Sequence, residues 1–270
     1  MFRSGLWRAG IGHEEISLMA SWVLLRGLMR EQRHWGDFPQ MFQVIAADAA
    51  VVTLDFPGNG HLCEQVSATS VEAMVESVRL QLLALSHPPP YHVAALSLGA
   101  MAAVAWSRLY PGEVEKMVLI NTSLAPHNPF YHRLRPQNYP ALLGTLLRGT
   151  VEHREALIMR ITSKQADTQQ APALLKRWVA YAEEYPIRRG NILRQLAAAL
   201  RYRAPYAAPP MPTLLLAGLG DDLVNPACSR QLAELWSCEI KLHPSAGHDL
   251  PLDDAGWVMQ QIANWLSTQR

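Results

Sequence analysis

Five short, largely apolar runs punctuate the chain: Trp22-Val23-Leu24-Leu25, Val51-Val52-Thr53-Leu54, His92-Val93-Ala94-Ala95, Met117-Val118-Leu119-Ile120 and Leu214-Leu215-Leu216-Ala217. Runs of this length that do not alternate with polar positions read as parallel strands covered on both faces. Amphipathic stretches lie between them. Ser70 is placed to cap a helix whose apolar positions Val71, Val75, Val78, Leu82 and Leu85 recur at helical spacing and which ends before Pro88-Pro89-Pro90. Gly99 to Tyr110 is Ala-rich and stops at Pro111-Gly112, and Val258, Ile262, Trp265 and Leu266 line one face of a terminal helix. Strand and helix alternation predicts an α/β fold with a mostly parallel central sheet flanked by helices.

Between Leu124 and Pro210 that rhythm stops: Ala173 to Tyr185 and Ile192 to Tyr202 read as helices, and no segment reads as a strand. Prolines mark both ends, Pro126 and Pro129 on one side and Pro205, Pro209, Pro210 and Pro212 on the other. The expectation is a core built from residues 1–123 and 211–270, carrying a helical insertion, or lid, over 124–210.

Composition narrows the class. With 270 residues and 49% hydrophobic content the chain can bury one substantial core, and 24 Lys+Arg against 23 Asp+Glu is not the excess of a general nucleic-acid binder. Cys63, Cys228 and Cys238 form no CxxC pair, which suggests neither a disulfide framework nor a zinc ribbon and fits a reducing, cytoplasmic setting. The apolar stretch Leu18 to Leu25 is short, contains Ser21 and runs into Arg26-Gly27 without a cleavage signature, so neither a signal peptide nor a membrane span is expected. Charge is distributed unevenly. Residues 124–210 hold 13 Lys+Arg and 5 Asp+Glu, a net +8, which leaves −7 for the rest.

Ala95-Leu96-Ser97-Leu98-Gly99 places a serine between a predicted strand and a predicted helix, with a small residue two positions away on each side. Small flanks permit the strained turn of a nucleophile elbow, because strand and helix cross closely there. A bare motif of this kind fits a helix N-cap equally well. Further segments supply context: Val23-Leu24-Leu25-Arg26-Gly27-Leu28 with His34-Trp35 following, Leu54-Asp55-Phe56-Pro57-Gly58-Asn59-Gly60, Leu216 to Val224 around Asp221-Asp222, and Ala246-Gly247-His248-Asp249. With these, the chain from about Trp22 to Leu266 resembles the α/β-hydrolase superfamily, in its lid-bearing carboxylesterase group.

The resemblance implies a Ser97 nucleophile, a His248 base and an Asp221 acid, in the family's chain order, with Asp222 as the fallback acid. It also implies an oxyanion hole from the backbone N–H groups of Leu28 and Leu98, a scaffolding role for the Asp55 to Gly60 loop, and no metal or organic cofactor. His243, at the end of the predicted last strand, competes for the base position and reads as structural. A serine at the elbow, where haloalkane dehalogenases and epoxide hydrolases carry aspartate, argues against both. The activity implied is carboxylic ester hydrolysis. Thioester hydrolysis or acyl transfer would use the same triad, and a non-catalytic ligand receptor on this fold is a further alternative.

One departure stands out: many relatives carry His before the oxyanion glycine, and this chain carries Arg26. That guanidinium would either bind an acidic substrate tail or pair with a carboxylate. Candidate substrate contacts are Arg26 and Trp35 together with Phe130, Tyr131 and Tyr139, which with Leu134, Leu142 and Leu143 suggest an apolar acyl pocket. Trp178, Tyr181 and Tyr185, spaced by three and four, fit packing within the lid instead. Arg133, Arg135, Arg188, Arg189, Arg194, Arg201 and Arg203 would attract an acidic partner such as acyl carrier protein, as in esterases that demethylate pimeloyl-acyl carrier protein methyl ester, to which the likeness is general. The alternative is a solvated face with pairs such as Glu183 or Glu184 to Arg188.

Overall fold

A computed structural model describes residues 20–269. Residues 18 and 19, where the first apolar stretch begins, lie outside the described residues. The described residues open on β1 (Ser21–Leu25), then α1 (Phe38–Ala46), β2 (Val51–Leu54), α2 (Val71–Ala84), β3 (Tyr91–Leu96), α3 (Leu98–Leu109) and β4 (Val114–Ile120). Five helices follow before the next strand: α4 (Phe130–Arg133), α5 (Tyr139–Arg148), α6 (Val151–Thr162), α7 (Ala171–Glu184) and α8 (Arg189–Arg201). The chain closes with β5 (Thr213–Gly218), α9 (Ala227–Trp236), β6 (Glu239–His243), α10 (Leu250–Asp253) and α11 (Ala255–Thr268).

Among the described residues six strands form one parallel sheet, in the order β2-β1-β3-β4-β5-β6. Side chains alternate between the two faces, and both faces of the inner strands are buried, which is why β1, β3 and β5 are largely apolar, whereas the edge strand β6 carries Glu239 and Lys241 and is only half-buried over most of its length. Val23, Leu25, Val93, Ala95, Met117, Leu119 and Leu215 face α2, α3 and α9. Trp22, Leu24, Ala94, Leu96, Val118, Ile120, Leu214 and Leu216 face α1 and α11. Register sets Leu25 against Ala95, Leu96 against Ile120 and Ile120 against Leu216, so the strands that bear chemistry end on one edge of the sheet. The chain leaves β1 toward β2 on one side and returns to β3 on the other; such a switch point opens a crevice at the carboxyl ends of the strands.

The observed elements bear out the periodicity, with ends shifted by one to three residues, as for α7 (Ala171–Glu184) and α8 (Arg189–Arg201). Ser70 Oγ accepts the N–H of Ala73 and starts α2, whose buried positions are Val71, Met74, Val75, Val78 and Leu82, while Leu85 lies past the helix end and is exposed. The last strand spans Glu239–His243, one residue later than Cys238 to Leu242. The described residues between β4 and β5 contain no strand.

Two glycines explain the local geometry. At Gly99 a Cβ would lie 2.5 Å from Leu25 O and 2.7 Å from Arg26 O, so α3 crosses the end of β1 at a distance that admits no side chain. Gly60 takes φ +50, and a Cβ there would overlap the Asp55 carboxylate. That carboxylate accepts Gln32 N–H at 2.7 Å and lies 3.0 Å from His61 Nδ1. Burial, with the charge of Glu31 adding, pushes the Asp55 pKa up to about 6, against the pull of the Gln32 N–H and the His61 ring.

In an ordinary helix Gly→Ala stabilises by about 1 kcal/mol. At Gly99 the backbone contacts reverse the sign, and Gly99→Ala is expected to destabilise by about 1–3 kcal/mol, read as a lowered thermal midpoint. A raised midpoint would show that α3 can move away from β1. For Asp55 the unfolded chain releases its proton near pH 4 whereas the folded protein holds it to about 6, so this group makes folding less favourable as pH rises through that window. Asp55→Asn removes that component, and its stability relative to the parent should rise between pH 4 and 6.5 in urea unfolding. A flat difference would mean that the carboxylate ionises in the fold as it does unfolded.

Candidate active site

Ser97 sits between β3 and α3 with φ +57 and ψ −113, and its side chain makes no capping hydrogen bond to α3. A β-branch-free residue held at positive φ without using its hydroxyl as a cap is strained by on the order of 1–3 kcal/mol. The ordinary N-cap reading therefore does not apply. The small flanks have the expected steric cause, since Gly99 presses on the β1 carbonyls and a Cβ at Gly27 would meet Ser97 Cβ at 3.2 Å.

The turns after β5 and β6 bring Asp221 and His248 together, with Asp221 Oδ2 2.7 Å from His248 Nδ1. Both side chains are almost fully buried. The other Asp221 oxygen accepts the N–H groups of Leu223 and Val224 at 2.8 Å each, which fixes the carboxylate plane. Asp222 turns outward to Lys164 at 2.7 Å and Arg135 at 3.6 Å, and so is not the partner of the imidazole. His243 accepts Ala246 N–H on Nδ1 at 2.8 Å and faces Asp254 through Nε2 at 3.2 Å; it shapes the turn that leads to His248.

Ser97 reaches this pair through the end of β4. Its N–H donates to Ile120 O, and the next residue, Asn121, at φ +46, donates from Nδ2 to His248 O at 2.7 Å and Gly247 O at 3.0 Å, while its Oδ1 accepts Gly218 N–H at 2.9 Å. One buried amide thus ties the ends of β4 and β5 to the His248 loop. Sequence reasoning missed Asn121; the available signal was Asn following an apolar run, the residue type that tolerates positive φ. Among the described residues no hydrogen bond joins Ser97 Oγ to His248, a contact that often tightens only with substrate bound. Neither Leu28 N–H nor Leu98 N–H is taken by a protein acceptor among the described residues, whereas the adjacent Met29 N–H donates to Gln195 Oε1 at 3.0 Å.

The expected substrate contacts need correction. Arg26 is buried, forms a bidentate pair with Asp249 at 3.0 and 2.5 Å and lies 4.7 Å over Trp35, which itself stacks on Phe38. Both terminal nitrogens of Arg26 are thus taken by Asp249, and Trp35 is packed between protein groups, while Arg26 Nε and Trp35 Nε1 have no hydrogen-bond partner among the described residues. Phe130, Tyr131 and Tyr139 are exposed around α4 and the start of α5, beside the Asp221 loop, where Arg135 N–H donates to Leu223 O. A cleft of about 550 Å³ opens between α5 and α6, lined by Ala141, Gly144, Thr145, His153, Ala156 and Leu157, and contains none of the candidates.

The loop after β1 carries further arginines that the insertion holds. Arg30 pairs with Glu155 of α6 at 2.5 Å and lies 4.4 Å over Trp178; Arg33 bonds Glu184 at 2.5 Å and lies over Tyr181 and Tyr185. Those aromatics are platforms for the arginines as well as packing groups within the helical segment. Burial, then the charges of Arg30 and Arg26, hold the His34 pKa well below its usual value, and its Nε2 lies 2.9 Å from Arg30 Nη1. Arg188 pairs with Glu64 of the core, not with Glu183 or Glu184. Arg133, Arg135 and Arg194 bond backbone carbonyls, so much of the basic excess is engaged within the molecule and the carrier-protein expectation gains no support.

A family model described as "Alpha/beta hydrolase family" matches residues 22–261. The chain belongs to the alpha/beta hydrolase family. Solved structures of similar fold include a putative non-heme bromoperoxidase, BpoC, from Mycobacterium tuberculosis H37Rv, at 19% identity with 93% of each chain covered and a TM-score of 0.73. An enol-lactonase from Burkholderia xenovorans LB400 is 18% identical, with 92% of each chain covered and a TM-score of 0.73. A thermophilic esterase from Thermogutta terrifontis is 18% identical over 93% of this chain and 90% of its own, with a TM-score of 0.70. No curated protein matches the chain. At these identities the likeness concerns the α/β-hydrolase fold, and among the described residues no helix is long and apolar enough to cross a membrane.

In this α/β-hydrolase the Asn121 clamp has a measurable consequence. Asn121→Ala strands one buried N–H and two carbonyls and puts alanine at positive φ, and is expected to destabilise by about 2 kcal/mol or more in urea unfolding. Asn121→Gly, which relieves only the backbone, should cost less. Equal costs for the two would show that the side-chain bonds alone matter.

Proposed function

We propose that the chain is a serine hydrolase of carboxylic esters that works through an acyl intermediate on Ser97. The observation that carries this reading is the buried Asp221–His248 pair at 2.7 Å, set on the same sheet edge as a serine held at positive φ. A carboxylate saturated on one oxygen by two backbone N–H groups and bonded through the other to Nδ1 holds the imidazole with Nε2 available as acceptor. A serine hydroxyl is a weak nucleophile until such a base takes its proton.

In the proposed reaction His248 Nε2 accepts the Ser97 proton as Oγ attacks the ester carbonyl. The resulting oxyanion meets the Leu28 and Leu98 N–H groups, a pair of donors whose single loss elsewhere costs about 3–4 kcal/mol of transition-state stabilisation. The protonated imidazole then gives its proton to the departing alkoxide. Water, deprotonated by the same nitrogen, attacks the acyl-Ser97 carbonyl, and the carboxylic acid leaves with Ser97 reprotonated. The esterase and enol-lactonase folds above are compatible with a small-molecule ester substrate.

The test is turnover of p-nitrophenyl acetate, butyrate and octanoate, with fluorophosphonate labelling and peptide mapping. Ser97→Ala is expected to lose about 10³-fold or more in kcat and all labelling, and Asp221→Asn to lose about 10²–10⁴-fold with its fold intact. Turnover retained by Ser97→Ala, or labelling of another residue, would overturn the reading.

A further inference from the structure

Arg26 and Asp249 are 223 positions apart, yet their side chains meet as a fork on a carboxylate, Nη1 to Oδ1 at 3.0 Å and Nη2 to Oδ2 at 2.5 Å. Neither is more than 4% exposed. Their places in the chain give the contact its meaning. Arg26 directly precedes Gly27-Leu28, the turn that packs on Ser97, and Asp249 directly follows His248.

We propose that the Arg26–Asp249 pair is a positioning device that keeps the loop after β1, with its Leu28 N–H, in register with the His248 imidazole. The inference rests on the Ser97, His248 and Asp221 reading above. Two parallel charged hydrogen bonds fix orientation as well as distance, which a single contact does not. Trp35 covers one face of the guanidinium at 4.7 Å and leaves it little freedom to rotate away.

The backbone around His248 has independent supports. Asn121 holds the carbonyls of Gly247 and His248, Asp253 accepts Gly247 N–H at 2.6 Å and Ser163 Oγ–H at 2.5 Å, and Asp249 N–H donates to Thr162 O at 2.6 Å. Loss of the ion pair therefore leaves the His248 turn folded while releasing the oxyanion loop from it. Since a displacement near 1 Å between reacting groups costs on the order of 100-fold in rate, the pair's effect belongs on kcat. Because Asp249 takes both terminal nitrogens, Arg26 has neither to spare for an acidic substrate.

The experiment compares the parent protein with Arg26→Gln, Asp249→Asn, Arg26→Lys and the double variant Arg26→Gln/Asp249→Asn. Turnover of p-nitrophenyl butyrate is divided by the number of reactive sites counted with a fluorophosphonate, so that loss of folded protein does not enter. The expected result is a fall of about 10- to 100-fold in kcat for Arg26→Gln and Asp249→Asn, with KM changed by less than about threefold. Arg26→Lys, which keeps the charge and loses the fork, should fall less. The double variant, with two amides facing each other and no lone buried charge, should recover at least about threefold over either single variant. A kcat per reactive site within about twofold of the parent in both single variants would reduce the pair to a folding contact and overturn the proposal. So would a KM raised about tenfold at unchanged kcat, which would make Arg26 a substrate contact. Failure of the underlying reading shows itself separately, as a parent protein that fluorophosphonate does not label at Ser97, and takes this proposal with it.

Discussion

The approach of α3 to the end of β1 is the constraint from which the geometry of the sheet edge follows. With Gly99 against the carbonyls of Leu25 and Arg26, the chain has no room to turn gradually from β3 into α3, and the whole reversal falls on Ser97 at φ +57. The strain is sustained because both flanking elements are buried through their length: β3 packs on both faces of the sheet, and α3 is enclosed from Leu98 to Ser107. A turn on the surface of a loosely packed helix would relax into an ordinary cap.

Around that turn, three loops with no sequence proximity are held by polar contacts rather than by apolar packing. Asn121 gathers β4, β5 and the His248 turn, Asp221 is clamped by its own loop, and Arg26 joins Asp249. Directional contacts suit this task. Apolar burial stabilises whatever arrangement excludes water, whereas a saturated amide or a bidentate pair tolerates little displacement.

The helical segment between β4 and β5 contributes to the same edge from outside. Gln195 on α8 binds Met29 N–H and Asn59, Glu155 on α6 and Glu184 on α7 take Arg30 and Arg33, and the aromatic rings of α7 lie beneath those guanidinium groups. This helical segment is thereby coupled to the loop that carries Leu28, one of the two candidate oxyanion donors. Its net +8 is read better residue by residue than as a field, because Arg188 and Lys164 pair with core carboxylates and the core's own arginines use two of its five acids.

Local pattern was enough to determine the parallel strands, the capped α2, the Ala-rich α3 and a serine at the turn between strand and helix, because strand burial, helix periodicity and the small-x-Ser-x-small spacing each act within a few residues of the chain; the grouping of Ser97 with Asp221 and His248 came from the family resemblance. The preference for Asp221 over Asp222 likewise came from the resemblance, and the contact with His248 agrees with it. Other features were beyond local reading. Arg26 pairs with a residue 223 positions away, Trp35 and Trp178 serve as faces for arginines, and Phe130, Tyr131 and Tyr139 point to solvent, none of which periodicity can distinguish from a pocket lining. The partner of a buried charge, and the side of a helix that meets it, depend on which distant segments the packed sheet edge brings within hydrogen-bond reach. That choice exists only once the chain is folded.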